Sequence, residues 1–191
     1  MRVLVVVEGK HEREGAVGTL IQRLRTDSVD LEFDRLANSD IHVHPGKGRG
    51  YEKKAIRWMR EAHKRGYEAI VLLVDRDKVA ERTIEVTNAQ NHTAACTIRR
   101  ALGVAIESFD AWMLADEKAI SKVLAKTVQT QPDPEEIADP KDRFTEVLAG
   151  MGLEWGGAAL YARIAATLDI SKLEARCPQG FAVFADRLRN M

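Results

Sequence analysis

Cysteine is scarce. The 191 residues hold two, Cys96 and Cys177, far apart in the chain. That excludes a CxxC zinc pair and a disulfide framework, and it suits a reducing cytoplasm. Both read as small buried apolar residues rather than nucleophiles. Long apolar runs are missing as well. None approaches the ~20 residues of a membrane-spanning helix, so no membrane association is expected. The opening MRVLVVVEGK has a short apolar stretch that ends at an acid, without a cleavage-site pattern, and does not read as a secretory signal. An excess of either charge is absent too. Lys plus Arg and Asp plus Glu are 29 each, which excludes a globally basic nucleic-acid coat and leaves only local patches. No GxxxxGK[ST] phosphate loop, internal repeat or low-complexity segment occurs. What is present is 45% hydrophobic residues, enough for a packed core. The length suits one domain of about 100–200 residues.

Two runs are almost purely apolar and β-branched, Val3 to Val7 and Ile70 to Val74. Continuous apolar strands are buried on both faces, as in a parallel sheet covered by helices. A weaker run, Val104 to Ile106, and the alternating stretch Val29 to Leu36 complete about four strands, the last nearer an edge. Helical spacing is predicted over Arg13 to Leu24, with Val17, Leu20, Ile21 and Leu24 on one face. It is predicted again over Tyr51 to Lys64, with Ala55, Trp58, Met59 and Ala62, and in the second half of Ala80 to Leu102, through Thr97, Ile98 and Leu102. The order is β-α-β-α-β-α-β, an α/β fold with a mainly parallel sheet and right-handed crossovers. Beyond residue 107 only helices are expected: one or two over Phe109 to Leu124, one from Asp139-Pro140 to Leu148, and others near Ala158 to Leu168 and Gln179 to Leu188. Residues 1–116 therefore read as a catalytic core and 117–191 as a helical extension packed on it.

Each apolar run ends at an acid. Glu8 follows the first, Asp75-Arg76-Asp77 the second and Glu107 the third. In a parallel sheet the carboxyl ends of the strands lie along one edge, where ligands of open α/β folds bind. Glu8, Asp75, Asp77 and Glu107 are therefore predicted to converge. Clustered carboxylates suit a hard dication, Mg²⁺ or Mn²⁺, and such an ion commonly meets a phosphate. Taken singly, each acid also reads as a helix cap or a solvated loop residue.

At these residues the sequence resembles the TOPRIM domain shared by topoisomerases, bacterial primases, OLD-family nucleases and small maturation ribonucleases. The pattern is Val-Val-Glu8-Gly9-Lys10-His11-Glu12, then Leu-Val-Asp75-Arg76-Asp77. The later segment Ile106-Glu107-Ser-Phe-Asp110-Ala-Trp112-Met-Leu-Ala-Asp116 is similar to that of small stand-alone TOPRIM proteins related to the OLD nucleases. The resemblance implies Mg²⁺-dependent hydrolysis of phosphodiester bonds in DNA or RNA. Asp75 and Asp77 would then be metal ligands, Glu8 a ligand and general base, and Glu107 a completing ligand. Lys10 would lie near the scissile phosphate, and Lys141 or Lys118 would serve as a further lysine. It also implies a setting in phage defence or a mobile element, with an ATPase encoded separately. The chain departs from the topoisomerases in having no platform for a nucleophilic tyrosine. Tyr51, Tyr67 and Tyr161 read as packing residues, which leaves water as the nucleophile.

The segment His42-Val-His44-Pro-Gly46-Lys47-Gly-Arg49-Gly50 reads either as a surface loop or as a glycine-rich grip on a nucleic-acid backbone through Lys47 and Arg49. Its His-x-His pair lacks a second ligand pair for zinc. Trp112 and Met113 fit a core better than a base-stacking platform. Two other functions remain open from the residues. One is a non-catalytic subunit that binds a partner ATPase or nucleic acid. The other is a phosphatase, although Lys78-Val79 after Asp77 departs from the haloacid-dehalogenase pattern, and the acid placement departs from that of response receivers.

Overall fold

The computed structural model describes residues 1–36, 50–92, 97–150, 152 and 157–191. Four strands form one parallel sheet: β1 (Arg2–Val7), β2 (Asp30–Arg35), β3 (Ala69–Asp75) and β4 (Arg99–Ala105). The order is β2-β1-β3-β4, with β1 on β3 and β3 on β4 in parallel register. The two purely apolar runs are the two central strands, as burial on both faces requires. The acidic, alternating β2 is an edge strand.

Side-chain alternation divides the core. Val3, Val5, Val7, Val71 and Leu73 face one layer; Leu4, Val6, Ile70, Leu72 and Val74 face the other. The second layer is closed by α2 (Tyr51–Lys64) and α3 (Glu81–Asn91), through Ala55, Met59, Ala62, Val86 and Ala89. The first is closed by α1 (Val17–Leu24) together with the later helices α4 (Asp110–Leu114), α5 (Glu117–Leu124), α6 (Pro140–Ala149), α7 (Ala158–Thr167), α8 (Ile170–Arg176) and α9 (Phe181–Arg189). The helices after residue 116 thus share one hydrophobic core with the sheet. Trp112, fully buried, lies at its centre, with ring centroids 5.3 Å from Phe109, 5.1 Å from Phe181 and 5.6 Å from Phe184. Gly103 on β4 admits Phe184, because a Cβ there would come within 2.5 Å of the ring.

Two expectations are corrected. The helix between β3 and β4 lies in the first half of its segment, Glu81–Asn91, and Thr97 and Ile98 precede a strand. That strand starts at Arg99, five residues earlier than the Val104 to Ile106 run suggests. Ile98, Leu102 and Val104 all face the α2–α3 layer. The four-residue gap from Ile98 to Leu102 fits the face of a helix and that of a strand equally well. The arginine pair and Gly103 hide the strand composition. The outer edge of β4 is occupied by side chains. Gln90 donates to Arg100 O (3.2 Å) and accepts from Leu102 N (2.9 Å), while Arg187 donates to Leu102 O (2.6 Å). A short helix, α8, is present beyond those that the sequence predicts. Asp169 caps it by accepting from Ser171 N and Lys172 N. The Asp139-Pro140 start of α6 is as expected, with Asp139 accepting from Asp142 N.

Candidate functional site

The carboxyl ends of β1, β3 and β4 are joined by carboxylates. Glu8 Oε2 accepts the backbone N–H of Asp75 (2.9 Å), and its Oε1 accepts the Tyr51 hydroxyl (2.8 Å). Asp75 Oδ1 accepts the backbone N–H of Phe109 (2.9 Å). Glu8 and Asp75, 67 residues apart, therefore meet through a direct bond, as the sheet-edge argument requires.

Asp77 and Glu107 belong to the loops just beyond. The non-glycine residues Asp77 (φ 47°), Lys78 (φ 61°) and Glu107 (φ 57°) are all in the left-handed region. Such backbone costs about 1 kcal/mol or more per residue and clusters at functional sites. Asp77 Oδ2 receives Arg82 at 2.5 Å. Glu107 turns toward the Asp75–Lys78 loop: its carboxylate pairs with the Arg76 guanidinium and accepts Lys78 N (2.8 Å), and its carbonyl accepts Asp77 N (3.0 Å). Glu107→Ala removes the carboxylate bonds that hold this loop. It is expected to weaken dication binding about tenfold, at the scale of groups that orient ligands. Glu107→Gln, which keeps an acceptor for Lys78 N, is expected to recover part of the loss. Isothermal titration with Mn²⁺ measures both.

Two further acids complete the cluster. After Glu8-Gly9 the chain makes a kinked helical turn, Glu12–Ala16, with Gly15 at φ 138°. This turn folds Glu12 back over Gly9, where a Cβ would stand 1.9 Å from Glu12 Oε2. Only glycine admits the carboxylate at that spot. Glu12 is 9% exposed. Burial, reinforced by Asp110 and Glu8, pushes its carboxyl up to about 7. Asp75 is raised well above the usual carboxylate range by burial first, then by Glu12 and Glu8. Asp110 is buried, accepts the Ser108 hydroxyl (3.2 Å) and takes the hydroxyl of Tyr161 from α7. Burial and Asp110 push the Tyr161 phenol up. The His11 ring stacks on Tyr161 at 4.6 Å, and burial, opposed by Asp110, lowers its affinity for a proton. Tyr51 is likewise raised, by burial and by Glu8.

Around these acids lies a cleft of about 610 Å³, rimmed by Lys10, Lys78 and Lys141. Lys10 is 70% exposed and 3.9 Å from Glu14. Lys141, at the start of α6, reaches the cleft. Lys118 is not among its lining residues and sits where Asp116 caps α5. Lys47, Arg49 and the His42–His44 pair lie outside the described residues. The sequence alone does not mark Glu12, Asp110, Tyr51 or Tyr161 as site residues. The available signal was the spacing: Glu12 follows Glu8 by four residues, and Asp110 follows Glu107 by three.

The donor set suits a hard dication. Glu8, Glu12 and Asp75 are crowded carboxylates; burial first, and mutual repulsion after it, raise Glu12 and Asp75, and an added cation offsets both. Among the described residues no group of three or more His, Cys, Asp or Glu side chains is placed to hold a metal ion between them. Mg²⁺ sites commonly use one or two carboxylates and complete the shell with water and phosphate oxygens. Gly9→Ala tests the arrangement independently. It displaces only the tip of the Glu12 side chain, so melting temperature is expected to stay within a few degrees. Any activity that uses Glu12 is expected to fall about a hundredfold, within the range for a misplaced proton-transfer group.

The model of a family described as a domain of unknown function (DUF4276) matches residues 7–189. No curated protein and no solved structure matches the chain.

Proposed function

The chain belongs to the DUF4276 family, whose description carries no activity, and from the site itself we propose that it is a Mg²⁺- or Mn²⁺-dependent nuclease hydrolysing phosphodiester bonds of DNA or RNA. The observation that carries this reading is the Glu8–Asp75 junction across the ends of β1 and β3, with Glu12 beside it and Lys10, Lys78 and Lys141 lining the cleft. Acids at the floor repel a phosphate unless a cation intervenes, and the rim lysines attract one. The parallel order β2-β1-β3-β4, with Glu-Gly after β1 and Asp-x-Asp after β3, supports the TOPRIM resemblance.

Asp75, with Glu8 or Asp77 as a second carboxylate, would hold the ion, and water and phosphate oxygens would complete its shell. A bound dication would neutralise phosphate charge and favour ionisation of a coordinated water. Glu12, buried and titrating near neutrality, accepts the proton of the attacking water on its carboxylate. The water oxygen bonds to phosphorus as the bridging P–O bond breaks, and the departing oxygen takes a proton from solvent. Lys10 and Lys141 bind non-bridging phosphate oxygens. Glu107 and Arg76 hold the Asp75–Lys78 loop in place.

The test incubates the purified protein with single- and double-stranded DNA and RNA, with Mg²⁺, with Mn²⁺ or with chelator. Cleavage that requires a dication is expected. Nucleic-acid binding without cleavage under every metal condition would instead assign a non-catalytic binding subunit, for which a partner ATPase is the candidate companion.

A further inference from the structure

The chain as a whole is neutral, but one helix face is not. α2 carries Lys53, Arg57, Arg60 and Lys64, all exposed, at steps of four, three and four residues. At 3.6 residues per turn these positions fall within a sector of about 60° and form one stripe about 17 Å long. The acids of α2, Glu52 and Glu61, both lie outside that sector. The side chains of Lys53, Arg60 and Lys64 have no hydrogen-bonding or ionic partner among the described residues. Elsewhere arginines are used internally: Arg23 donates to Ala165 O and Leu168 O, Arg176 to Ala115 O and Gln131 O, and Arg187 to Leu102 O. The stripe starts two residues after Tyr51, whose hydroxyl donates to Glu8. Resting on the nuclease reading, we propose that the outer face of α2 is a docking surface for the sugar-phosphate backbone of the polynucleotide substrate.

Three features carry this. The first is charge complementarity over a matching length: with one charge per 3.4 Å of axis on each strand, the stripe spans about five phosphates. Cations without an internal partner meet those phosphates without first giving up a bond, and the contact releases condensed counterions. The second is rigidity. Ala55, Met59 and Ala62 bury the other face of α2 against the sheet, and the Tyr51 N–H donates to Glu85 of α3 (2.9 Å), so the stripe has a fixed direction from the site. With its apolar face spent in the core, α2 has none left to insert into a lipid surface. The third is the site itself. Crowded carboxylates repel a polyanion, and contacts remote from the reacting bond supply binding energy that offsets this. Phosphate contacts of this kind hold and orient a nucleic acid without reading its sequence.

The experiment measures binding of labelled single- and double-stranded DNA and RNA by fluorescence anisotropy, in chelator and across a salt series. It compares the parent with a triple variant, Lys53→Gln, Arg60→Gln and Lys64→Gln, in which glutamine keeps the helix propensity. The parent is expected to bind at least one of these polymers, more weakly as salt rises. The triple variant is expected to bind it about tenfold more weakly at low salt, with the slope of log affinity against log salt reduced by about 2–3. Arg60→Lys, which keeps the charge, is expected to bind as the parent does. With Mn²⁺, the triple variant is expected to hydrolyse the small diester bis(p-nitrophenyl) phosphate at the parental rate, because that substrate does not reach the stripe. Equal affinity and equal slope in parent and triple variant would overturn the proposal. So would stripe-dependent binding to phosphatidylserine vesicles with no binding to any polynucleotide. If the small diester is hydrolysed in an Asp75-dependent way and polynucleotide binding ignores the stripe, the hydrolytic site stands and the docking surface falls. If binding needs the stripe and no diester is hydrolysed, the surface stands and the nuclease reading falls.

Discussion

Replacing Asp75 by Asn is expected to lower dication-dependent phosphodiester hydrolysis roughly a thousandfold while the protein stays folded. Asn keeps an Oδ1 acceptor for the Phe109 N–H, so the tie between the ends of β3 and β4 persists. The backbone N–H that Asp75 gives to Glu8 is untouched. What disappears is one negative charge at the point where Glu8, Glu12 and Asp75 crowd together. The same deletion removes repulsion, so the variant is expected to melt no lower than the parent at pH 8 in chelator. Loss of activity with retained stability separates a functional carboxylate from a structural one. A variant that cleaves at the parental rate would show that the hydrolysis comes from elsewhere.

The parts of this site that can be read from the sequence obey short-range rules. Val3–Val7 and Ile70–Val74 are apolar enough to be recognised as central strands, and the residue after a central parallel strand has a fixed location. Glu8 and Asp75 follow from that alone. Glu107 lies at the right edge but points toward Arg76 and Lys78, because a left-handed backbone at Glu107, Asp77 and Lys78 sets the directions of these side chains. Nothing in those residue types announces a positive φ. Glu12 depends on a kink at Gly15 and on the missing Cβ of Gly9, both tertiary facts. Tyr161 reaches the cleft because α7 packs beside the kinked turn, and Lys141 because α6 packs on α4. The segment after residue 116 is therefore part of the site wall as well as a cover for the sheet. The start of β4 is hidden in the sequence for a different reason. An edge strand that starts with two arginines and holds a glycine lacks the composition of its buried neighbours.

The stability of the metal-free protein is expected to carry the signature of Glu12. Its folded carboxyl titrates near 7, above the ordinary value of 4.5. A group raised on folding binds its proton more tightly in the native state. Its contribution is therefore fully favourable below the unfolded value and is lost as pH rises through the folded one. Between about pH 4.5 and 7 the native state holds a proton that the unfolded chain releases, and stability falls across that window. Glu12→Gln removes the ionisation while preserving the volume over Gly9. The variant is expected to match the parent at pH 5 and to exceed it at pH 8 by about 3 kcal/mol, the equivalent of the shift. For a chain of this size that is roughly 6–12 °C in melting temperature. Asp116, Glu117 and Asp169 are held below their ordinary values by hydrogen bonds and by Lys172, so they gain stability as pH rises at the acidic end of the scale. The difference between parent and variant cancels those groups. Mn²⁺ added at pH 8 is expected to raise the melting temperature of the parent through the same acids. A difference between Glu12→Gln and the parent that is equal at pH 5 and pH 8 would mean that Glu12 is ionised freely in the native protein, and with it would go the case for Glu12 as the proton acceptor.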